Sequence, residues 1–147
     1  MRILLITNLY PPQELGGYGR SMADFAWGLK KLGHQITVLC SNAPYLDIDS
    51  IKEDHSIQRN ILLKGSFENG ITNITNPLKR TEIDQHNIKL LEGALKKENW
   101  DGILIGNLDL IGDEILETLA NKSIPILHHI GFMEPSFSHL SIPKKNN

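Results

Sequence analysis

Residues 1–41 constrain the fold more than any other part of the chain, because they predict a strand, a loop, a helix and a second strand in succession. The apolar run at residues 2–7 is typical of a strand buried on both faces, as in a parallel sheet. Residues 9–19 contain two adjacent prolines and three glycines, which predict a long loop of fixed shape. Apolar side chains at helical spacing predict a helix over residues 20–32, and residues 36–40 predict a second buried strand.

The rest of the chain continues the alternation of strands and helices. A short strand is predicted at residues 61–64, within an otherwise irregular excursion. Helical spacing over residues 83–97 is followed by an apolar strand at residues 103–106. A further helix is predicted at residues 109–121, and a last strand at residues 126–130.

This alternation predicts an α/β fold, a Rossmann-like, doubly wound and mostly parallel sheet with helices on both faces. We expect one domain over residues 1–141 and a loose tail at residues 142–147. In such sheets ligands bind beyond the carboxyl ends of the strands, so the loops after the strands are the candidate site.

Composition limits the function. The formal net charge of −2 leaves no broad basic surface for nucleic acid, and no apolar run is long enough for a membrane span. Peripheral contact with a membrane stays open. The single cysteine, Cys40, cannot form an internal disulfide, so a cytoplasmic location is expected. No metal site is predicted, because residues 52–55 carry potential ligands without the spacing of a known site.

The glycine-rich loop does not match the common nucleotide-binding motifs. Counting from Gly17, the third glycine of G-x-G-x-x-G would be Met22, and no lysine follows the glycines as a P-loop requires. An NAD(P) enzyme is therefore disfavoured. Gly16, Gly17 and Gly19 precede a predicted helix, where free amides can bind an anion or a sugar hydroxyl. The alternative is that they only allow the loop to turn, and the residues alone leave both interpretations open.

Several short motifs carry a more specific resemblance. Tyr-Pro-Pro at residues 10–12, Gly-Gly at 16–17 and Gly-His at 33–34 lie in the same order as in retaining, family-4 type glycosyltransferases of the GT-B fold. The segments at residues 100–106 and 124–129 resemble later strands of that family. In that family two Rossmann-like domains face each other across a cleft, and the opening stretch resembles the N-terminal, acceptor-side domain.

The resemblance implies roles for individual residues. The amides of Gly16 and Gly17 would lie near the reacting sugar and the phosphates of the donor. Tyr10 and Gly19 belong to the same substrate-binding loop, and Arg20 would border the acceptor side.

The resemblance also points to the loop after the last strand. The family often has a histidine six residues after a proline like Pro125, and here that position is Gly131, which would line the cleft. Side chains alternate along a strand, so His128 and His129 would face opposite sides of the sheet. His129 is the candidate catalytic residue, and the alternative for either histidine is a buried, hydrogen-bonded structural role.

The family's donor-binding half, with a glycine-rich loop and a pair of glutamates, would follow residue 147. We therefore expect an N-terminal domain whose parent enzyme transfers a hexose from a nucleotide-sugar donor to an acceptor with retention, without a cofactor or essential metal. The nucleotide sugar would be the co-substrate, and the missing C-terminal domain would be the partner. This chain alone would then be inactive. The alternative is a stand-alone Rossmann-like binding or regulatory domain that recognises a carbohydrate or a partner.

Overall fold

The structure is a computed structural model that describes residues 1–13, 18–43 and 55–128. The helices and strands follow in this order: β1 (Arg2–Ile6), α1 (Tyr18–Lys31), β2 (Gln35–Ser41), β3 (Ile57–Ile61), β4 (Gly65–Ser66), β5 (Thr72–Asn73), α2 (Pro77–Lys97), β6 (Gly102–Ile105), α3 (Glu114–Ala120) and β7 (Ile126–His128).

The main sheet of the described residues is parallel and has the strand order β3-β2-β1-β6-β7. β4 and β5 form a separate antiparallel pair. The chain moves outward from β1 to β3 and then crosses back to β6. The switch point of the sheet, where such folds bind ligands, therefore lies between the carboxyl ends of β1 and β6.

Helices pack on both faces of the sheet, which confirms the predicted α/β fold class. On one face, α1 inserts Met22 and Ala26 between apolar side chains of β1 and β2. On the other face, α2 and α3 contribute Leu91, Ile115 and Leu119 to a core with side chains from β1, β2 and β6. The alternating side chains of β1 supply both cores, which explains why residues 2–7 are apolar without interruption.

Helix α2 begins at Pro77, earlier than the start near Ile83 that the apolar spacing predicts. The side-chain oxygen of Asn76 accepts a hydrogen bond from the Lys79 N–H at 3.1 Å and caps the helix. A proline in the first helical turn is favourable, because the N–H that it lacks would have no partner within the helix. Pro77 is therefore part of the start of the helix, not an interruption before it.

Strand β3 spans Ile57–Ile61, whereas the sequence predicts a strand at residues 61–64. The predicted strand therefore lies too far toward the C-terminus. The backbone of Leu62 bonds instead to a side chain of α2: its N–H donates to Asn87 Oδ1 at 2.9 Å, and its carbonyl accepts from Asn87 Nδ2 at 2.8 Å. Asn87 is buried, and this pair of bonds fixes α2 beside the end of β3.

Helix α3 begins at Glu114, after the start predicted at residue 109. Leu110 (φ 65°) and Gly112 (φ 94°) adopt left-handed backbone conformations, which a right-handed helix does not allow. The segment between β6 and α3 is therefore a loop at the switch point.

Gly106, directly after β6, allows close contact between the sheet and α1. A Cβ atom at this position would lie 2.8 Å from Thr7 Oγ1 and 2.9 Å from Met22 Cγ. We expect Gly106→Ala to lower the free energy of unfolding by about 1–3 kcal/mol, because both neighbours are fully buried and must shift. Urea denaturation measures the difference.

Gly93 offers a matched control. It lies within α2, and a Cβ atom there would meet nothing within 4 Å. Gly93→Ala should raise the free energy of unfolding by about 0.5–1 kcal/mol, because alanine is the better helix former. Equal effects of the two substitutions would contradict the steric explanation for Gly106.

Candidate functional site

Asn8 connects three neighbouring parts of the chain at the carboxyl end of the sheet. It follows β1 directly and is 2% exposed. Its side-chain Nδ2 donates to the Asp109 carbonyl at 3.0 Å, and its backbone N–H donates to the Asn107 carbonyl at 2.8 Å. Its own carbonyl accepts from the Ser41 N–H at 3.0 Å. One buried residue thus joins the loop after β1 to the last residue of β2 and to the loop after β6.

The segment from Tyr10 to Gln13 is held by an arginine from β3. Arg59 Nη1 donates to the Tyr10 carbonyl at 3.2 Å and to Gln13 Oε1 at 2.7 Å. Arg59 Nη2 donates to the Pro11 carbonyl at 2.8 Å. The planar guanidinium presents several donors in a fixed geometry, so it can satisfy these three acceptors together.

The start of α1 lies against this segment. A Cβ atom on Gly19 would lie 3.1 Å from the Gln13 carbonyl oxygen and 3.5 Å from that of Leu9. Gly19 is buried, whereas Arg20 is exposed at the surface of the first turn. The structure therefore brings Tyr10, Gly19 and Arg20 together at the carboxyl end of β1, although the Tyr10 side chain itself is buried in the core beneath α1. Their roles in substrate binding stay predictions.

The remaining predicted site residues are Gly16, Gly17, His129 and Gly131. All four lie outside the residues that the structure describes. The predictions for them are therefore neither confirmed nor corrected by the structure.

His128, the last residue of β7, lies at the same end of the sheet. It is paired in register with Ile105, whose side chain belongs to the core under α2 and α3. Burial lowers the pKa of the His128 imidazole below its usual value, and the nearby carboxylate of Asp113 opposes this shift. The ring is therefore neutral at pH 7.

This lowered pKa predicts a pH dependence of stability. Below about pH 6.5 the unfolded chain takes up a proton at His128 more readily than the folded chain. The free energy of unfolding should therefore fall as the pH is lowered from 7.5 to 5, and His128→Gln should make the fall shallower. Asp113→Asn should make it steeper, because it removes the charge that favours the imidazolium. Urea midpoints measured across this range test the assignment, and parallel curves for wild type and His128→Gln would refute it.

Lys64 forms a charged cluster with one carboxylate from α2 and one from α3. The Nζ atom of Lys64 lies 2.7 Å from Asp84 Oδ1 and 3.4 Å from Glu114 Oε2, and the lysine side chain is only 5% exposed. The Lys64 N–H also donates to the Leu110 carbonyl at 2.7 Å. Gly112 leaves room for this cluster, since a Cβ atom there would lie 2.6 Å from Lys64 Nζ. Lys64 thus fixes the β6–α3 loop to α2.

Sequence reasoning missed Arg59, Lys64 and the bonds of Asn8. Arg59 and Lys64 are single charged residues within apolar or irregular stretches, and their partners are distant in sequence. Arg59 lies within the short strand β3 and Lys64 just after it, and many solvent-exposed charged residues occupy such positions.

The described part of the chain contains no cluster of three or more His, Cys, Asp or Glu side chains suited to holding a metal ion. Within the same residues, none of the helices combines the length and the apolar character needed to cross a membrane.

Comparison with solved structures finds a structural neighbour, the sucrose-phosphate synthase from Thermosynechococcus elongatus. The TM-score is 0.60 and the sequence identity is 15%, over 99% of this chain and 37% of the synthase chain. No protein-family model and no curated protein sequence matches the chain. The chain therefore spans little more than a third of the length of this neighbour and shares the α/β fold of that part of a glycosyltransferase.

Proposed function

We propose that this chain forms the acceptor-side domain of a retaining glycosyltransferase. In this proposal the parent enzyme moves a hexose from a nucleotide-sugar donor to an acceptor, and a second Rossmann-like domain supplies most of the donor site. The observation that carries the proposal is the fold likeness to a sucrose-phosphate synthase over 99% of the chain, with the Tyr-Pro-Pro residues 10–12 following β1 at the switch point of the sheet.

The geometry of the described residues supports this assignment. The loop after β1 is held from two sides, by Asn8 and by Arg59, so its entry is fixed before any ligand binds. Preorganised groups are what a transfer site needs, because a small displacement of a reacting group lowers the rate strongly. Arg20 is exposed at the start of α1, where it can meet a polar acceptor.

The proposed roles follow the resemblance. The Gly16 and Gly17 amides would contact the donor's sugar and phosphates, and Arg20 would border the acceptor side. Tyr10, whose side chain is buried, would contribute to the substrate-binding segment through its backbone, together with Gly19. His129 would be the catalytic histidine, and the loop with Gly131 would line the cleft. The leaving nucleoside diphosphate would be stabilised mainly by the second domain, so residues 1–147 alone would be inactive. A cytoplasmic location belongs to the same proposal, since the single cysteine gives no sign of disulfide bonding.

Transfer assays test the proposal. Radiolabelled uridine and guanosine diphosphate hexoses are incubated with a polar cell extract, either with residues 1–147 or with a polypeptide that continues into a nucleotide-sugar domain. We expect labelled product only from the longer polypeptide, with the anomeric configuration of the donor by proton NMR. Robust transfer by residues 1–147 would contradict the proposed division of labour. Absence of transfer by the longer polypeptide with every donor would overturn the function.

Gly17 offers a sharper test in the longer polypeptide. A β-branched side chain at this position should block close approach of the donor, so Gly17→Val is expected to lower kcat by at least about a hundredfold while the thermal midpoint is unchanged. Gly28→Ala is a control, because a Cβ atom there meets nothing within 4 Å. Wild-type turnover in Gly17→Val would remove the loop from the site.

A further inference from the structure

We propose that Arg59 is a positioning residue for the transfer site. It holds the segment from Tyr10 to Gln13, and through it the start of α1, in the conformation that sugar transfer requires. This inference rests on the proposed function for its catalytic part, whereas its structural part stands on the contacts of Arg59 alone. The sequence resemblance assigns no role to Arg59, which lies on β3, two strands from the centre of the sheet.

The segment that Arg59 holds has little means of fixing its own shape. Pro11 and Pro12 carry no N–H groups, so two of the backbone donors of this segment are missing. The Gln13 N–H donates to the Tyr10 carbonyl at 3.0 Å and closes one turn. The carbonyls of Tyr10 and Pro11 also accept hydrogen bonds from Arg59. Bonds to a charged donor are stronger than bonds between neutral groups, so the guanidinium dominates the hold on this turn.

Gln13 makes the hold more rigid. Its side chain is fully buried, accepts from Arg59 Nη1 at 2.7 Å and donates from Nε2 to the Ala43 carbonyl at 3.4 Å. Burying an amide and part of a guanidinium costs free energy unless both are hydrogen-bonded. The pairing therefore forces one arrangement of the segment, because other arrangements would leave these polar groups unpaired.

Gly19 connects the segment from Tyr10 to Gln13 with the proposed site. The start of α1 packs on the segment so closely that a Cβ atom on Gly19 would lie 3.1 Å from the Gln13 carbonyl oxygen and 3.6 Å from Pro11 Cδ. A displacement of the segment must therefore move the first turn of α1, which carries Arg20. Contacts between described residues thus lead continuously from Arg59 to the proposed acceptor side.

Amide hydrogen exchange on residues 1–147 tests the structural part without any ligand. In Arg59→Met, which keeps an apolar stem, exchange of the Gln13 amide should become about tenfold to a hundredfold faster. Exchange of the Val38 and Leu39 amides in the core strand should change no more than global stability requires. Arg59→Lys keeps the charge but not the planar guanidinium, so Gln13 exchange in this variant should lie between that of wild type and that of Arg59→Met. If the methionine variant does not fold, the lysine variant tests the proposal in its place.

Arg80→Met is the matched control. Arg80 also donates to a backbone carbonyl, that of Ile74, at 2.9 Å, but it lies on α2 away from the loop after β1. Its loss should leave Gln13 exchange unchanged. If Gln13 exchange is unchanged in both Arg59 variants, or accelerated equally in Arg80→Met, the positioning role is refuted.

Kinetics of the longer polypeptide test the catalytic part. Arg59→Met should lower kcat by at least about tenfold and change KM for the donor by less than about threefold, because Arg59 orients the site without touching the donor. If the wild-type polypeptide transfers no sugar, the proposed function fails, while the exchange result still decides whether Arg59 holds the segment. Faster exchange with an unchanged kcat would overturn the positioning role in catalysis.

Discussion

Asp84→Ala is expected to lower the free energy of unfolding by about 3 kcal/mol, because it leaves the buried Lys64 ammonium without its close partner. The lysine side chain is 5% exposed and the Nζ–Oδ1 distance is 2.7 Å, so water cannot easily replace the carboxylate. Glu114 remains 3.4 Å from Nζ and keeps the loss at the lower end of the range for broken buried pairs. Urea denaturation with a two-state fit measures the change.

Variants of the partners separate the contributions within the cluster. Glu114→Ala should cost less than about 1 kcal/mol, because Glu114 is 43% exposed and its ion pair is screened by water. The double variant Lys64→Met with Asp84→Leu should recover stability to within about 1 kcal/mol of wild type, since it removes both charges together. The interpretation fails if the double variant is less stable than Asp84→Ala.

The fold class could be predicted from the sequence because its signals are local. The apolar run of β1 and the helical spacing of α1 each arise within one segment, and parallel order follows from their alternation. The predicted starts of α2 and α3 were wrong, because capping and backbone conformation decide where these helices begin. Pro77 starts α2 instead of interrupting it, and Leu110 with Gly112 delays α3.

The candidate site could be predicted only in part. The position of the candidate site at the carboxyl ends of the strands follows from the sequence, because loops after parallel strands meet at one edge of the sheet. The roles of the glycines stay predictions. The residues that fix this edge could not be identified. Asn8 bonds to Asp109, which is 101 positions away, and Arg59 bonds to Pro11, 48 positions away. Lys64 pairs with Asp84, 20 positions away. Sequence spacing carries no information about such contacts.

These three residues share a physical role. Each satisfies backbone or side-chain groups of loops at the carboxyl end of the sheet, where strand pairing has ended and the backbone has no regular partner. Buried polar side chains are tolerated there because they bond to polar groups of the loops that would otherwise be buried without a partner. Polar contacts therefore hold the described loops at this end of the sheet in addition to the apolar packing of Leu9 and Ala43.

Asn8→Ala is expected to lower the free energy of unfolding by about 2–4 kcal/mol, because it removes two hydrogen bonds and strands a buried donor. The Leu9 N–H now donates to Asn8 Oδ1 at 2.7 Å, and Leu9 is 5% exposed, so water has little access to it. The Asp109 carbonyl loses the other bond, but Asp109 is exposed and can be hydrated. Urea denaturation gives the total loss, and exchange of the Leu9 amide locates it.

Two further variants decide whether the hydrogen bonds or the packing of Asn8 matter. Asn8→Leu fills the same space without either bond, so it should be nearly as unstable as Asn8→Ala if the bonds dominate. Asn107→Ala is the control, because its Oδ1 accepts from the exposed Asp109 N–H at 2.8 Å and should contribute less than about 1 kcal/mol. A leucine variant as stable as wild type would mean that the Asn8 side chain contributes by packing alone, and Asn8 would then join the loop after β1 to its neighbours only through its backbone bonds to Asn107 and Ser41.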